Sequence, residues 1–92
     1  MYAIYKYPLD ITDVQHVAIP ETARMLTVQA QGDQVCLWAL VDADSPPKAR
    51  TVRVYGTGHP IEDAIARGAY YAGTAQTCGG QLVWHVFIDE AP

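Results

Sequence analysis

The densest chemistry in this sequence lies between residues 53 and 60, where Arg53 and Tyr55 lead into Gly56-Thr57-Gly58-His59-Pro60. Glycines let a backbone pass close to a ligand and turn its N–H groups outward, which suits a phosphate or carboxylate. A helix opening at Pro60 would add the partial positive charge of its N-terminus. In this arrangement Gly56, Gly58 and His59 line the phosphate side and Arg53 pairs with the anion. Tyr55 or Trp38 then stacks on a flat, base-like group. The spacing is that of neither a Walker loop nor a dinucleotide fingerprint, because no lysine follows and the glycines are differently placed. A plain turn between strand and helix asks for the same glycines, so both readings stand. Trp38 and Trp84 also sit in the two most apolar segments, where core packing competes with ligand stacking.

Other reactive groups do not assemble by spacing. Cys36, Cys78, His16, His59 and His85 include no pair with the separation of a zinc knuckle or a helical histidine pair. A cysteine nucleophile needs an activating base, yet Cys36 lies within an apolar run and Cys78 in a turn. His85 reads as a strand histidine with a satisfied hydrogen bond. Asp42 and Asp44 are candidates for acid–base work or for a hard metal, but carboxylates beside Ser45-Pro46 equally describe a solvated turn. No complete catalytic set and no cofactor motif emerges, which favours a binding protein over an enzyme. A small hydrolase or nuclease using Asp42, Asp44 or His59 is the minority alternative.

These groups must be positioned by a chain of 92 residues, enough for one domain (1–92) and too few for two. Half of the residues are apolar, which supports a hydrophobic core, and only 17% are charged. So little charge on so small a body predicts that a second copy covers one face, giving a homo-oligomer. The net charge is −4, and of the basic residues only Lys48, Arg50 and Arg53 come close together. Nucleic acid, which calls for a basic stripe, is therefore not expected as a partner. Met1 to Pro8 contains no apolar run of signal-peptide length, and no segment approaches a membrane span of about 20 apolar residues. The expected location is a reducing cytoplasm, where Cys36 and Cys78 stay free thiols.

Turn chemistry divides the chain into about seven short strands. Tyr2–Tyr7 is β-favourable and ends at Pro8; Thr12–Ile19 is weaker. Met25–Gln31 alternates, with Leu26, Val28 and Ala30 expected on one face. Gly32-Asp33 suits a two-residue primed turn into Val35–Val41, which is apolar throughout. Asp42–Lys48 reads as a loop. Thr51–Tyr55 places Val52 and Val54 on one face and Thr51, Arg53 and Tyr55 on the other. Ile61–Arg67 is the helical candidate, with Pro60 at its start and Gly68 at its C-terminal cap. Ala69–Thr77 and Gln81–Ile88 flank Cys78-Gly79-Gly80 as a hairpin. Within the last strand Leu82, Trp84, Val86 and Ile88 share one face, and Val83, His85 and Phe87 the other. The expected fold is all-β, a small antiparallel sandwich or barrel.

Four segments carry a resemblance: Tyr5–Leu9 (YKYPL), Cys36–Asp42 (CLWALVD), Tyr55–Ile61 (YGTGHPI) and Gly79–Phe87 (GGQLVWHVF). The sequence resembles a family of short phage and prophage proteins carried as a domain of unknown function. That resemblance implies a protein made in the bacterial cytosol during infection. It brings no catalytic residues, and it makes Ile61–Arg67 the variable part, which counts against a helix there. The leading expectation is a non-enzymatic accessory protein binding a small anionic, nucleotide-like ligand, with sequestration of a host immune signal as one use. The alternative is a protein-interaction module that uses the tyrosine-rich Tyr2–Tyr7 strand to pair edge to edge with a host or virion protein.

Overall fold

The computed structural model describes residues 1–89. Seven strands form: β1 (Tyr2–Pro8), β2 (Gln15–Pro20), β3 (Arg24–Gln31), β4 (Gln34–Asp42), β5 (Pro47–Gly56), β6 (Tyr70–Thr77) and β7 (Leu82–Ile88). They divide into a three-stranded sheet of order β1-β4-β3 and a four-stranded sheet of order β2-β5-β7-β6, every pairing antiparallel. Of the two architectures the sequence allows, the open sandwich is the one adopted. Its core joins Val35, Leu37, Ala39 and Val41 of β4 to Val52, Val54, Val86 and Ile88 of the second sheet.

The hairpin between β3 and β4 forms where expected. Gln31 pairs with Gln34 across Gly32-Asp33, and Gly32 takes φ 61°, the left-handed geometry a primed turn requires at its first position. The alternation along β3 differs from expectation. Met25 pairs with Ala39 and Thr27 with Trp38, so Leu26 is the extra residue of a bulge. Beyond that bulge the parity reverses: Met25 and Val28 are buried, while Leu26 is exposed.

Other boundaries moved for identifiable reasons. Thr12–Val14 is not strand, because Gln15 Nε2 donates back to Asp10 O at 2.7 Å and to Thr12 Oγ1 at 3.2 Å, closing a local turn. β5 begins at Pro47 rather than Thr51, since β2 extends alongside it as far as the Pro20–Pro47 pair. A helix is present despite the variable character implied for that segment: α1 (Asp63–Gly68), preceded by Glu62 with no side-chain cap and carrying no buried residue. Pro60 lies outside it, in the non-helical stretch before Asp63. Cys36 is buried and Cys78 exposed, both as free thiols.

The sheets approach most closely where β3 meets β6. A Cβ placed on Gly73 would sit 3.0 Å from the Cβ of Val28. At the same end, the turn of one hairpin clasps the turn of the other: the Cys78 backbone N–H donates to Asp33 Oδ1 at 2.9 Å. Among the described residues, no helix is long and apolar enough to cross a membrane.

Candidate functional site

Period-two alternation decides which side chains leave the core. Arg53 pairs with Phe87, Tyr55 with His85, Tyr71 with Phe87 and Thr74 with His85. Paired residues share a face, so Arg53, Tyr55, Tyr71, Thr74, His85 and Phe87 converge on the outer face of the four-stranded sheet. Because β7 lies between β5 and β6, those two strands run parallel. Residues 57–69 must therefore carry the chain back along the length of β7. The start of that crossover lies against the outer face: Thr57 bonds His85, and His59 meets the Tyr55 ring edge-on at 6.0 Å.

Rings form the floor of the site. Phe87 makes edge-to-face contacts with Tyr55 at 5.9 Å and with Tyr71 at 5.0 Å. Tyr55 is buried at 5% exposure, whereas Tyr71 is 44% exposed.

A chain of hydrogen bonds runs over this floor. Thr57 Oγ1 lies 2.7 Å from His85 Nε2, and Tyr71 OH lies 2.7 Å from His85 Nδ1. Tyr71 OH is also bonded to Thr74 Oγ1. Hydroxyls donate or accept as needed, so both ring nitrogens of His85 are satisfied in either tautomer.

Arg53 is already engaged. Its Nε donates to Asp89 Oδ1 at 2.7 Å and its Nη2 to Asp89 Oδ2 at 2.9 Å, a bidentate fork. Those bonds to Asp89 raise the guanidinium pKa further above its usual value, and Tyr55 adds to the effect against some desolvation. The pair is close to neutral, so an incoming anion must compete with Asp89.

The residues singled out from sequence are only partly gathered. Arg53, Tyr55 and His59 do come together. Gly56 ends β5 opposite Trp84, and Thr57-Gly58 make the turn, closed by His59 N donating to Gly56 O at 3.1 Å. Trp38 is corrected on both of its readings. It shares a face with Lys6 and Thr27, on the outer side of the other sheet, away from the core and away from this site. Trp84 does pack on the core, and its Nε1 donates to Thr77 Oγ1 at 2.9 Å. Asp42 and Asp44 lie at the N-terminal end of β1, where both accept from the Met1 ammonium at 3.4 and 3.3 Å. Among the described residues, no three His, Cys, Asp or Glu side chains cluster as metal ligands would.

Sequence reasoning missed Asp89, Thr57 and Thr74 as members of the site. The alternation had already placed His85 with Phe87 and Arg53 with Tyr55. What it lacked was the strand order that sets β7 beside β5. No curated protein and no solved structure matches this chain. A family model matches residues 1–92: the chain belongs to the domain of unknown function family DUF7352.

Proposed function

We propose that this chain binds a small anionic, nucleotide-like ligand without transforming it, on the outer face of the four-stranded sheet. The observation that carries this reading is the β5–β7 register, which sets Arg53, Tyr55, His85 and Phe87 side by side beneath the Gly56–His59 turn. Arg53 and the turn receive the anionic end, with His59 at its rim. Tyr71, not Trp38, supplies the stacking surface, and His85, Thr57 and Thr74 supply hydrogen bonds to polar edges. Thr57 Oγ1 does lie 2.7 Å from His85 Nε2, but the other ring nitrogen meets the Tyr71 hydroxyl rather than an orienting carboxylate, which is why binding is preferred to turnover. In this reading the biological role is that of an accessory protein made inside a bacterium during infection. It removes a host immune signal by holding it.

The test is calorimetry against a panel of linear and cyclic nucleotides, with mass analysis of the recovered ligand. Binding with the ligand returned intact is expected. Arg53→Gln should abolish it, and Asp89→Asn, which releases the guanidinium, should strengthen it. Unchanged affinity in Arg53→Gln, in protein whose thermal unfolding remains cooperative, removes this assignment.

A further inference from the structure

The β1 edge of the three-stranded sheet carries a pattern that the ligand site does not use. β1 is an edge strand paired on one side only, with β4. Ala43 N donates to Met1 O at 2.8 Å and Leu9 N donates to Val35 O at 2.9 Å. Bonded pairs alternate along an antiparallel ladder, so the odd residues from Met1 to Leu9 aim their backbone groups at β4. Tyr2, Ile4 and Lys6 therefore aim their N–H and C=O groups away from the molecule. Pro8 takes the next outward position, where its missing N–H takes nothing from the β1–β4 ladder.

Natural edges are usually blunted by charge, by brevity or by a covering element. β1 has little of this. Its one charged side chain, Lys6, is drawn back across the sheet, with Nζ donating to Gln31 Oε1 at 2.7 Å. Tyr2 and Ile4 on one face are 68% and 61% exposed, and Tyr5 on the other face is also exposed. The other edges differ: β3 and β6 meet across the sandwich at Val28 and Gly73, and the exposed members of β2 are only His16 and Ala18.

We propose that β1 pairs antiparallel with β1 of a second copy about a two-fold axis at Ile4, joining two three-stranded sheets into one of six strands. The pattern is self-complementary in that register. Ile4 faces Ile4 of the other copy, and Tyr2 faces Lys6. Each of Tyr2, Ile4 and Lys6 then donates and accepts one backbone bond. On the opposite face Ala3 meets Tyr5, small against large. Tyr2 opposite Lys6 places an aromatic ring beside a cation, and no like charges meet. Moving the axis to Tyr5 would set Tyr2 against Pro8 and lose a donor, so the Ile4 register is the one selected.

The experiment is sedimentation across a dilution series, with wild type expected at twice the chain mass. Ile4→Pro removes an outward donor and leaves the β1–β4 bonds in place, so it should give a folded monomer. Ile4→Lys, which keeps the backbone donor but places charge on the axis, should do the same if the proline variant unfolds. Paired bonded residues lie about 5.5 Å apart at Cα, within disulfide reach. In a Cys78→Ser background, Ile4→Cys should therefore cross-link on oxidation and Tyr5→Cys should not. A wild-type monomer at every concentration, or a dimer indifferent to both Ile4 substitutions, overturns the proposal. A monomer whose β1 is instead captured by a different protein overturns it too, and gives the edge to that partner. Ligand binding on the other sheet is measurable in the Ile4→Pro monomer, so the two proposals fail separately.

Discussion

At the residue scale, Asp42 illustrates how a surface carboxylate becomes coupled to the fold. Its Oδ1 accepts the Asp44 backbone N–H at 3.1 Å, and the Met1 ammonium is within 3.4 Å. The backbone bond, the larger influence, and the ammonium together hold the Asp42 carboxyl below its ordinary value. A carboxyl with a depressed folded-state pKa stabilises the fold at every pH above its ordinary value. That contribution is lost as the pH falls through the depressed one. The acid limb of the thermal unfolding midpoint against pH should therefore flatten in Asp42→Asn, with little change near neutrality apart from a uniform offset. Parallel acid limbs in the two proteins would show that the carboxylate is not coupled to folding. Nothing in the sequence singles out Asp42 for this role, which rests on a turn whose geometry depends on where β4 ends.

At the scale of elements, the two hairpins are coupled through their turns. Asp33 serves its own turn and also accepts the Cys78 N–H of the other, at a position where Cys78 takes φ 52°. Asp33→Ala leaves that donor with water as its partner and should cost about 1 kcal/mol. Chemical denaturation gives the size, and faster amide exchange at Cys78 should accompany it. Unchanged exchange there would show that the clasp adds nothing. Sequence patterning read both hairpins correctly, since Gly32-Asp33 and Cys78-Gly79-Gly80 are local signals. It misread Leu26 because a bulge consists of one extra residue, invisible to a period of two. It placed the helix within two residues at its start but took Pro60 for its opening position. That start is set by neither a capping side chain nor burial of an apolar stripe.

For the whole molecule, three of the five strand pairings are distant in sequence. β1 pairs with β4 as Tyr2 with Asp42, and β2 with β5 as Gln15 with Val52. Both loops must close before those contacts stabilise anything, so folding should be slow for a chain of this length, in the range of roughly milliseconds to seconds. Stopped-flow fluorescence can measure this directly, because Trp38 reports on one sheet and Trp84 on the other. A single shared rate is expected for a sandwich that forms its core at once, and microsecond folding would contradict the topology argument. The same non-locality sets the limit of sequence reading. Outside the bulged β3 and the uniformly apolar β4, which residues face outward was legible strand by strand, whereas the neighbourhood of Arg53, Tyr55, His85 and Phe87 depends on strand order. Strand order belongs to the assembled sandwich, and no short stretch encodes it.

The two thiols have a kinetic consequence. Cys78 stands in the open on a turn, while Cys36 is sealed in the central strand of its sheet at 0% exposure. A thiol reagent should react with Cys78 at the rate of an ordinary surface thiol. Cys36 shares the outer face of that sheet with Trp38, and a reagent can reach it only when the side chains covering it there move aside. The ratio of the two modification rates is thus a built-in clock for opening of the cover over this face of β4, readable without any engineered probe. Anything that covers the β1 edge should slow that clock at Cys36 and leave Cys78 untouched.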